Sequence, residues 1–181
     1  APSRLRAPLR SRDTELMAQA LRELGARVED VPGHGDFGDD WLITPIPFEH
    51  LRTQAAAEDA AGTATERRIE CGLAGTVMRF VPALAALVPG RTEFHGDAAA
   101  ERRPMGPVIE ALRGLGVEVQ ELGEPGRLPF AIVENGSRPE QRVVVGVARL
   151  LEGALAHVGR HRAGGEPAGA DEEARVRDHP V

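Results

Sequence analysis

The chain has 181 residues and a formal net charge of −6, which argues against a nucleic acid as its partner. All 22 basic residues are arginines, so the chain would bind an anion only where a few of them converge. The single cysteine excludes an internal disulfide and suits a reducing compartment, so we expect a cytoplasmic protein. No apolar run is long enough to cross a bilayer and no signal peptide is evident, so we expect no membrane partner. The first residue is Ala1 rather than methionine, and we expect the chain to be a fragment.

The first third of the chain contains short apolar patterns typical of strands. These patterns predict strands at 3–8, 26–31 and 41–46. Pro45 and Pro47 lack the N–H group that a sheet ladder needs, so we place the third strand at a sheet edge. Residues 51–65 are rich in alanine but have no clear apolar face, and we predict a loop there with one helical turn.

A helix is predicted between the first two strands, opening at Asp13 or Thr14, with Asp13 as the cap. Its apolar face consists of Leu16, Met17, Ala20, Leu21 and Leu24. Gly25 comes directly after this face and is well suited to the position that ends a helix. The order is therefore strand, helix, strand.

The same alternation continues beyond a turn that contains two glycines. A helix is predicted from Thr76 to Pro89, with a bend where Pro82 removes one hydrogen-bond donor. A second helix is predicted from Pro104 onwards. Strands are predicted at 91–95, 117–122 and 129–133.

The chain repeats itself, because residues 17–31 align without gaps on residues 108–122, with Met17 on Val108. Ala, Leu, Arg, Leu, Gly and Val coincide at matching places along this offset of 91. Convergence is an alternative, since helices followed by a glycine and a strand are common. We favour a duplicated α/β unit. The glycine-turn helix precedes only the second copy, so we expect the first copy to lack its leading helix.

The turn with Gly72 and Gly75 is the candidate functional element. Thr76 is predicted to cap the helix that follows it, because its hydroxyl can accept from an unpaired N–H. Gly75 lets a ligand approach the backbone closely, and the helix N-terminus favours negative charge. Arg79, one turn into the helix, can add its charge. The alternative is a tight strand-to-helix turn that binds nothing.

Beyond residue 134 the composition changes. Residues 160–181 consist mostly of Gly, Ala, Arg, Glu and Asp, which predicts disorder because little can be buried. His157 and His161 have a spacing compatible with metal binding, but no third ligand is evident. We therefore predict no metal site and no cofactor.

Three strings in this order and spacing resemble one family. They are Ser11-Arg-Asp-Thr14 before Met17, Gly72-Leu-Ala-Gly-Thr-Val-Met-Arg79-Phe, and Gly96-Asp97 before Arg103-Pro-Met105. Over residues 3–133 the chain resembles the EPSP synthases (3-phosphoshikimate 1-carboxyvinyltransferases) of the actinobacterial kind. The resemblance implies an α/β fold of repeated β-α-β-α-β-β units. It also implies a cytoplasmic enzyme that transfers the enolpyruvyl group of phosphoenolpyruvate to shikimate 3-phosphate on the route to chorismate and the aromatic amino acids.

By this resemblance, Gly75 and Arg103 are the residues that contact phosphoenolpyruvate. Pro104 is predicted to be the first residue of a helix, which would place Arg103 at that helix mouth. The alternative for Arg103 is a solvated surface arginine. Thr76 and Arg79 match the motif and are predicted to support the site. Cys71 is predicted to be a packing residue rather than an acid.

The resemblance also shows what is missing. The family's leading Ser-Lys-Ser-x-x-x-Arg helix, its Ser-Ser-Gln motif after Val133 and its second domain have no counterpart here, so we assign no catalytic residue. We expect residues 1–133 to be a partial domain whose first repeat is truncated, and residues 134–181 to be a divergent tail. The chain would then be an inactive fragment. The alternatives are a non-catalytic anion-binding module, with a separate chain supplying the missing domain, and a decayed gene product.

Overall fold

The computed structural model describes residues 1–33, 38–61 and 65–134. Its elements are β1 (Ser3–Leu5), α1 (Arg12–Glu23), β2 (Arg27–Val31), β3 (Asp40–Thr44), α2 (Phe48–Ala61), β4 (Glu66–Glu70), α3 (Gly75–Ala85), β5 (Gly90–His95), α4 (Ala98–Glu101), α5 (Gly106–Gly114), β6 (Glu118–Glu121) and β7 (Phe130–Glu134). This mixture of helices and strands confirms the predicted α/β class. Within these ranges no helix combines the length and apolarity that crossing a membrane would require. The predictions for residues 135–181 lie outside the described residues.

The strands form two sheets with related topologies. The first has the order β1-β3-β2 and is antiparallel throughout. The second has the order β4-β5-β7-β6, in which β4 and β5 are parallel and the other pairs antiparallel. Three strands of the second sheet, in the order β5-β7-β6, correspond to the order β1-β3-β2 of the first sheet. The second sheet has one more strand, β4, at its edge beside β5. Among the described residues the first sheet has no counterpart of β4.

The repeat extends to individual hydrogen bonds. Arg22 Nη2, on α1, donates to the Val28 carbonyl of β2 at 2.7 Å. At an offset of 91, Arg113 Nη2 donates from α5 to the Val119 carbonyl of β6 at 2.9 Å. We refer to this bond as the arginine clasp. It supports duplication over convergence, because a shared helix-and-strand pattern alone would not dictate an identical side-chain bond.

The helices of both copies end in the same way. Gly25 and Gly116 have φ angles of +99° and +79°, in the left-handed region that glycine adopts most easily. In each copy the N–H groups of this glycine and of the residue after it donate to carbonyls of the last helical turn, as in a Schellman motif. The prediction that Gly25 ends the first helix is confirmed.

Three helix predictions were wrong in detail. α1 begins at Arg12, and its cap is Ser11 rather than Asp13. The Ser11 hydroxyl accepts from the Thr14 N–H, and the Thr14 hydroxyl accepts from the Ser11 N–H, which is a capping box. The predicted loop at 51–65 contains most of α2, since an alanine-rich segment favours a helix even without an apolar face. α3 ends at Ala85, before the predicted end at Pro89.

Two strand predictions were also wrong. β1 ends at Leu5, because Ala7 has a φ angle of +44° and its N–H turns to donate to the buried Asp40 carboxylate at 2.9 Å. β3 lies in the centre of its sheet, not at an edge. Pro45 and Pro47 come after the last paired residue of β3, so their missing donors do not affect the ladder.

The main core lies between the second sheet and its helices. The rings of Phe94 and Phe130 stack with centroids 5.3 Å apart, on neighbouring strands. Met78 on α3 and Ile109 on α5 are both fully buried. α1 contacts both α3 and β4, so the first copy packs beside the carboxyl end of β4, where the candidate turn begins.

Candidate anion-binding site

The turn between β4 and α3 is held by backbone hydrogen bonds to the end of β5. The Cys71 N–H donates to the His95 carbonyl at 2.7 Å, and the Asp97 N–H donates to the Gly72 carbonyl at 3.1 Å. Gly72 has a φ angle of +52°, and a Cβ atom there would lie 2.8 Å from Leu16 Cδ1. The backbone conformation therefore favours glycine at position 72, and a Cβ atom there would also displace the end of the Leu16 side chain.

The N-terminus of α3 has unpaired donors. Its N-cap is Ala74, and no side chain caps the helix. Thr76 was predicted to be the cap, which is wrong, since it lies within the first turn as the second helical residue and is exposed. The N–H groups of Gly75, Thr76 and Val77 have no acceptor among the described residues, and the first bond of the turn is from Met78 to Ala74. These donors and the helix dipole favour an anion.

Two guanidinium groups lie against this helix start. A Cβ atom built on Gly75 would be 2.8 Å from Arg79 Nη1 and 3.8 Å from Arg103 Nη1. Both cations are therefore within 4 Å of one point beside the first residue of α3. The structure thus brings together Gly75, Arg79 and Arg103, with Thr76 exposed next to them.

Arg103 reaches this point from a different element than predicted. It follows the short helix α4, is partly buried, and donates from Nη1 to the Leu73 carbonyl at 2.8 Å. Pro104 is not the first residue of a helix, because α5 begins at Gly106 with Pro107 in its first turn. Arg103 therefore lies at the mouth of α3 rather than that of α5. The role of Arg103 stays a prediction, but the helix assigned to it was wrong.

The charge at this point is uncompensated within the described ranges. Arg79 is exposed, and its Nη1 lies 3.3 Å from the Gly75 carbonyl one turn back. Neither Arg79 nor Arg103 forms an ion pair with a described carboxylate, although other arginines do so on the same sheet and helices. In an acidic chain, two such cations at one helix start make a local positive site.

Arg12 also lies in this region, although it was not among the predicted site residues. Its Nη2 donates to Asp97 Oδ2 at 2.9 Å and lies 3.1 Å from the position of a Cβ atom on Gly72. Both Arg12 and Asp97 stood in the strings that carried the resemblance. The repeat also pointed to Arg12, because Arg12 precedes Arg103, a predicted site residue, by the repeat offset of 91.

Cys71 is fully buried beside the turn, as expected of a packing residue. Burial raises the pKa of its thiol to about 12, and the nearby Glu70 carboxylate adds to this effect. A thiol that stays protonated and enclosed can neither attack a substrate nor exchange protons with it at neutral pH.

The described part of the chain contains no cluster of three or more His, Cys, Asp or Glu residues suited to a metal ion. His157 and His161 lie outside the described residues, so their predicted lack of a third ligand stays a prediction.

Comparison with known proteins identifies close relatives of this chain. The family model for EPSP synthase (3-phosphoshikimate 1-carboxyvinyltransferase) matches residues 1–146. Relatives named 3-phosphoshikimate 1-carboxyvinyltransferase include one from Kocuria rhizophila, 49% identical over 144 residues, and one from Bifidobacterium longum, 42% identical over 139 residues. These alignments cover 80% and 77% of this chain but only 30% and 28% of the relatives. The chain therefore spans about 30% of the length of the relatives that it matches.

Solved structures show the same fold. An EPSP synthase from Acinetobacter baumannii is similar with a TM-score of 0.58 and 21% sequence identity, over 81% of this chain and 32% of that one. This similarity supports the predicted enolpyruvyl transferase fold.

Proposed function

This chain belongs to the EPSP synthase family, and from that premise we propose that it binds phosphoenolpyruvate at the start of α3. Phosphoenolpyruvate carries a carboxylate and a phosphate, and both are acceptors that suit guanidinium groups and helix N-terminal N–H groups. The observation that carries the proposal is the convergence of Arg79 and Arg103 on Gly75, with no described carboxylate paired to either cation.

Each residue of the site has a separate part in this binding. The N–H groups of Gly75 and Thr76 point along the helix dipole and donate to one anionic group. Arg103 uses Nη1 to hold Leu73 and has further N–H donors for the ligand, since a guanidinium has five. Arg79 adds charge from the exposed side. The absence of a side chain on Gly75 leaves the space into which the anion fits.

In the family's reaction, as the resemblance implies it, a hydroxyl of shikimate 3-phosphate joins phosphoenolpyruvate, and inorganic phosphate leaves. The addition requires a proton donor for the methylene carbon and a base for the hydroxyl. Arginine serves neither role, because it stays protonated, and the Cys71 thiol is buried. We therefore propose that this turn supplies binding and charge stabilisation, and that the chain alone does not turn over the substrates.

Binding is tested by calorimetric titration of the 181-residue chain with phosphoenolpyruvate. We expect weak binding that falls about tenfold or becomes undetectable in Arg103→Ala, because a hydrogen bond to a charged group contributes about 1.5–3 kcal/mol. Arg102→Ala is the matched control, since Arg102 is the neighbouring residue, is exposed and carries the same charge. Equal losses in both variants would indicate a general charge effect and contradict the proposed site.

Turnover is tested separately by measuring phosphate release with both substrates present. We expect no release above background from this chain alone. On the same premise we propose that a separate chain supplying the rest of a synthase is its partner, and adding one to the mixture should then restore release. Release by this chain alone would contradict the proposal that it lacks the reacting groups.

The second candidate is a non-catalytic anion-binding module, favoured by a charged site in a chain that spans about 30% of its relatives. Such a module would bind inorganic phosphate as well as phosphoenolpyruvate, and any turnover would require the separate chain that supplies the missing domain. A decayed product would bind neither ligand. Comparison of the two titrations, together with the mixing assay, separates these outcomes.

We also propose that the chain acts in the cytoplasm, where the phosphorylated substrates of the family's reaction are found. Its single, buried cysteine agrees with a reducing compartment. Fractionation of the source cells with an antibody to this chain tests the location.

A further inference from the structure

Arg12 is the first residue of α1, which is an unfavourable place for a positive charge. The N-terminus of a helix carries the positive end of its dipole, so a cation there is repelled unless an anion compensates it. The Asp97 carboxylate supplies that compensation, with Oδ2 2.9 Å from Arg12 Nη2. The pair joins α1 of the first repeat to the segment after β5 in the second.

Asp97 is also attached to the candidate turn through its backbone. Its N–H donates to the Gly72 carbonyl at 3.1 Å, while its side chain accepts from Arg12. Gly72 leaves room for this arrangement, since a Cβ atom there would be only 3.1 Å from Arg12 Nη2. Arg12, Asp97 and Gly72 therefore form a connected set at one side of the turn.

The position of Arg12 within the repeat gives a second argument. At the offset of 91, Arg12 corresponds to Arg103, which bonds the Leu73 carbonyl on the same turn. Both arginines thus reach the turn between β4 and α3, although Arg12 is the first residue of α1 and Arg103 lies before the start of α5. One arginine reaches it at Gly72 through Asp97, and the other reaches it at Leu73 and lies beside Gly75.

We infer that Arg12 is a positioning residue, which through Asp97 fixes the Gly72 turn at the start of α3 and thereby raises the affinity for phosphoenolpyruvate. The part of this inference that concerns phosphoenolpyruvate rests on the proposed function. The part that concerns the turn does not, and it can be measured without a ligand.

Cys71 offers a direct readout of the turn, because it is the only cysteine and lies next to Gly72, fully buried. Its rate of modification by an aryl disulfide reagent reports how often the turn opens. We expect Arg12→Ala and Asp97→Asn each to raise this rate about two- to fivefold, the factor that an exposed ion pair of 0.4–1 kcal/mol would give. The double variant should react no faster than either single variant, because both remove the same interaction.

Arg27→Ala is the matched control, since Arg27 is an exposed arginine on β2, where it pairs with Thr44, and among the described residues no hydrogen bond or ion pair joins it to the turn. The midpoint of urea unfolding is measured for every variant, because global unfolding also exposes the thiol. A faster rate at an unchanged midpoint supports local fixing of the turn. An unchanged rate, a rise explained by a lower midpoint, or additive effects of the two substitutions would overturn it.

Titration with phosphoenolpyruvate tests the part of the inference that concerns affinity. We expect the dissociation constant to rise by the same two- to fivefold in Arg12→Ala and to stay unchanged in Arg27→Ala. If the unaltered chain binds but Arg12→Ala binds equally well, the effect on affinity is refuted. If the unaltered chain does not bind, the proposed function fails, while the modification rates of Cys71 still decide whether Arg12 fixes the turn.

Discussion

Arg103 donates from Nη1 to the Leu73 carbonyl at 2.8 Å, so the side chain proposed to bind the anion also holds the turn that presents it. A guanidinium can serve a carbonyl and an anion together, because its donors spread over a rigid planar fork. A lysine ammonium is a single point of charge on a flexible stem. Position 103 therefore depends on the geometry of arginine as well as its charge.

Arg103→Lys is expected to weaken phosphoenolpyruvate binding by less than the loss in Arg103→Ala, because the planar fork of donors is lost while the charge remains. Calorimetric titration should place this variant between the unaltered chain and Arg103→Ala. Arg102→Lys, at the exposed neighbouring position, is expected to bind normally. Full affinity in Arg103→Lys would mean that charge alone is sufficient.

Gly75→Ala should separate binding from stability. The new methyl group would lie 2.8 Å from Arg79 Nη1, the mobile end of a long side chain that can move away at little cost. The same methyl group occupies the space proposed for the ligand, and steric conflict of this kind costs on the order of 1–3 kcal/mol. We expect phosphoenolpyruvate binding to fall about tenfold with little change in melting temperature. Gly106→Ala, where no atom lies within 4 Å of the added Cβ, should leave phosphoenolpyruvate binding unchanged.

Alkaline pH should destabilise the fold through Cys71. Burial raises the pKa of this thiol from 9.0 to about 12, so above pH 9 the unfolded chain loses a proton that the folded chain retains. The free energy of unfolding should fall by about 1.4 kcal/mol per pH unit in that interval. The chain contains neither lysine nor tyrosine, so neither of these residue types titrates in this pH interval. Urea unfolding at pH 8, 9, 10 and 11 measures the slope, which Cys71→Ala should abolish, and an equal slope in that variant would refute the assignment.

Two glycines at the end of α5 should respond oppositely to alanine. Gly116 has a φ angle of +79°, so Gly116→Ala should destabilise the chain by about 1–2 kcal/mol. Gly114 is exposed, lies within α5 and has open space around it, so Gly114→Ala should stabilise by about 0.4–1 kcal/mol. Thermal unfolding of both variants measures the difference. Two changes of the same sign would show that backbone conformation is not the controlling factor.

The repeat and the strand-helix alternation were predictable from sequence, because apolar periodicity and the glycines at 25 and 116 are local signals. The cap of α1 could also be predicted from sequence, since Ser11 and Thr14 have the spacing of a capping box. Apolar periodicity does not indicate α2, and only its alanine-rich composition favours a helix there. The centre position of β3 depends on which strands pair, and no local pattern encodes that.

Residues of the candidate site could be proposed from the sequence, but their geometry could not be predicted from it. Gly75 and Arg103 came from a resemblance of motifs, and their proximity depends on the turn after α4 rather than on a helix opened by Pro104. The pairing of Arg12 with Asp97 joins residues 85 positions apart and could not be derived from spacing. The shared offset of Arg12 and Arg103 was the one sequence signal that could have suggested it.

The arginine clasp ends on a main-chain oxygen in both copies, and every residue type provides one. Mutation of the strand therefore cannot remove the acceptor, and only the arginine itself is under constraint. After the shared valine the two strands read Glu29-Asp30 and Gln120-Glu121, yet each remains tied to its helix at the same point. An attachment of this kind tolerates substitutions in the strand. This explains how the two copies keep the same helix-to-strand bond although the residues around it differ.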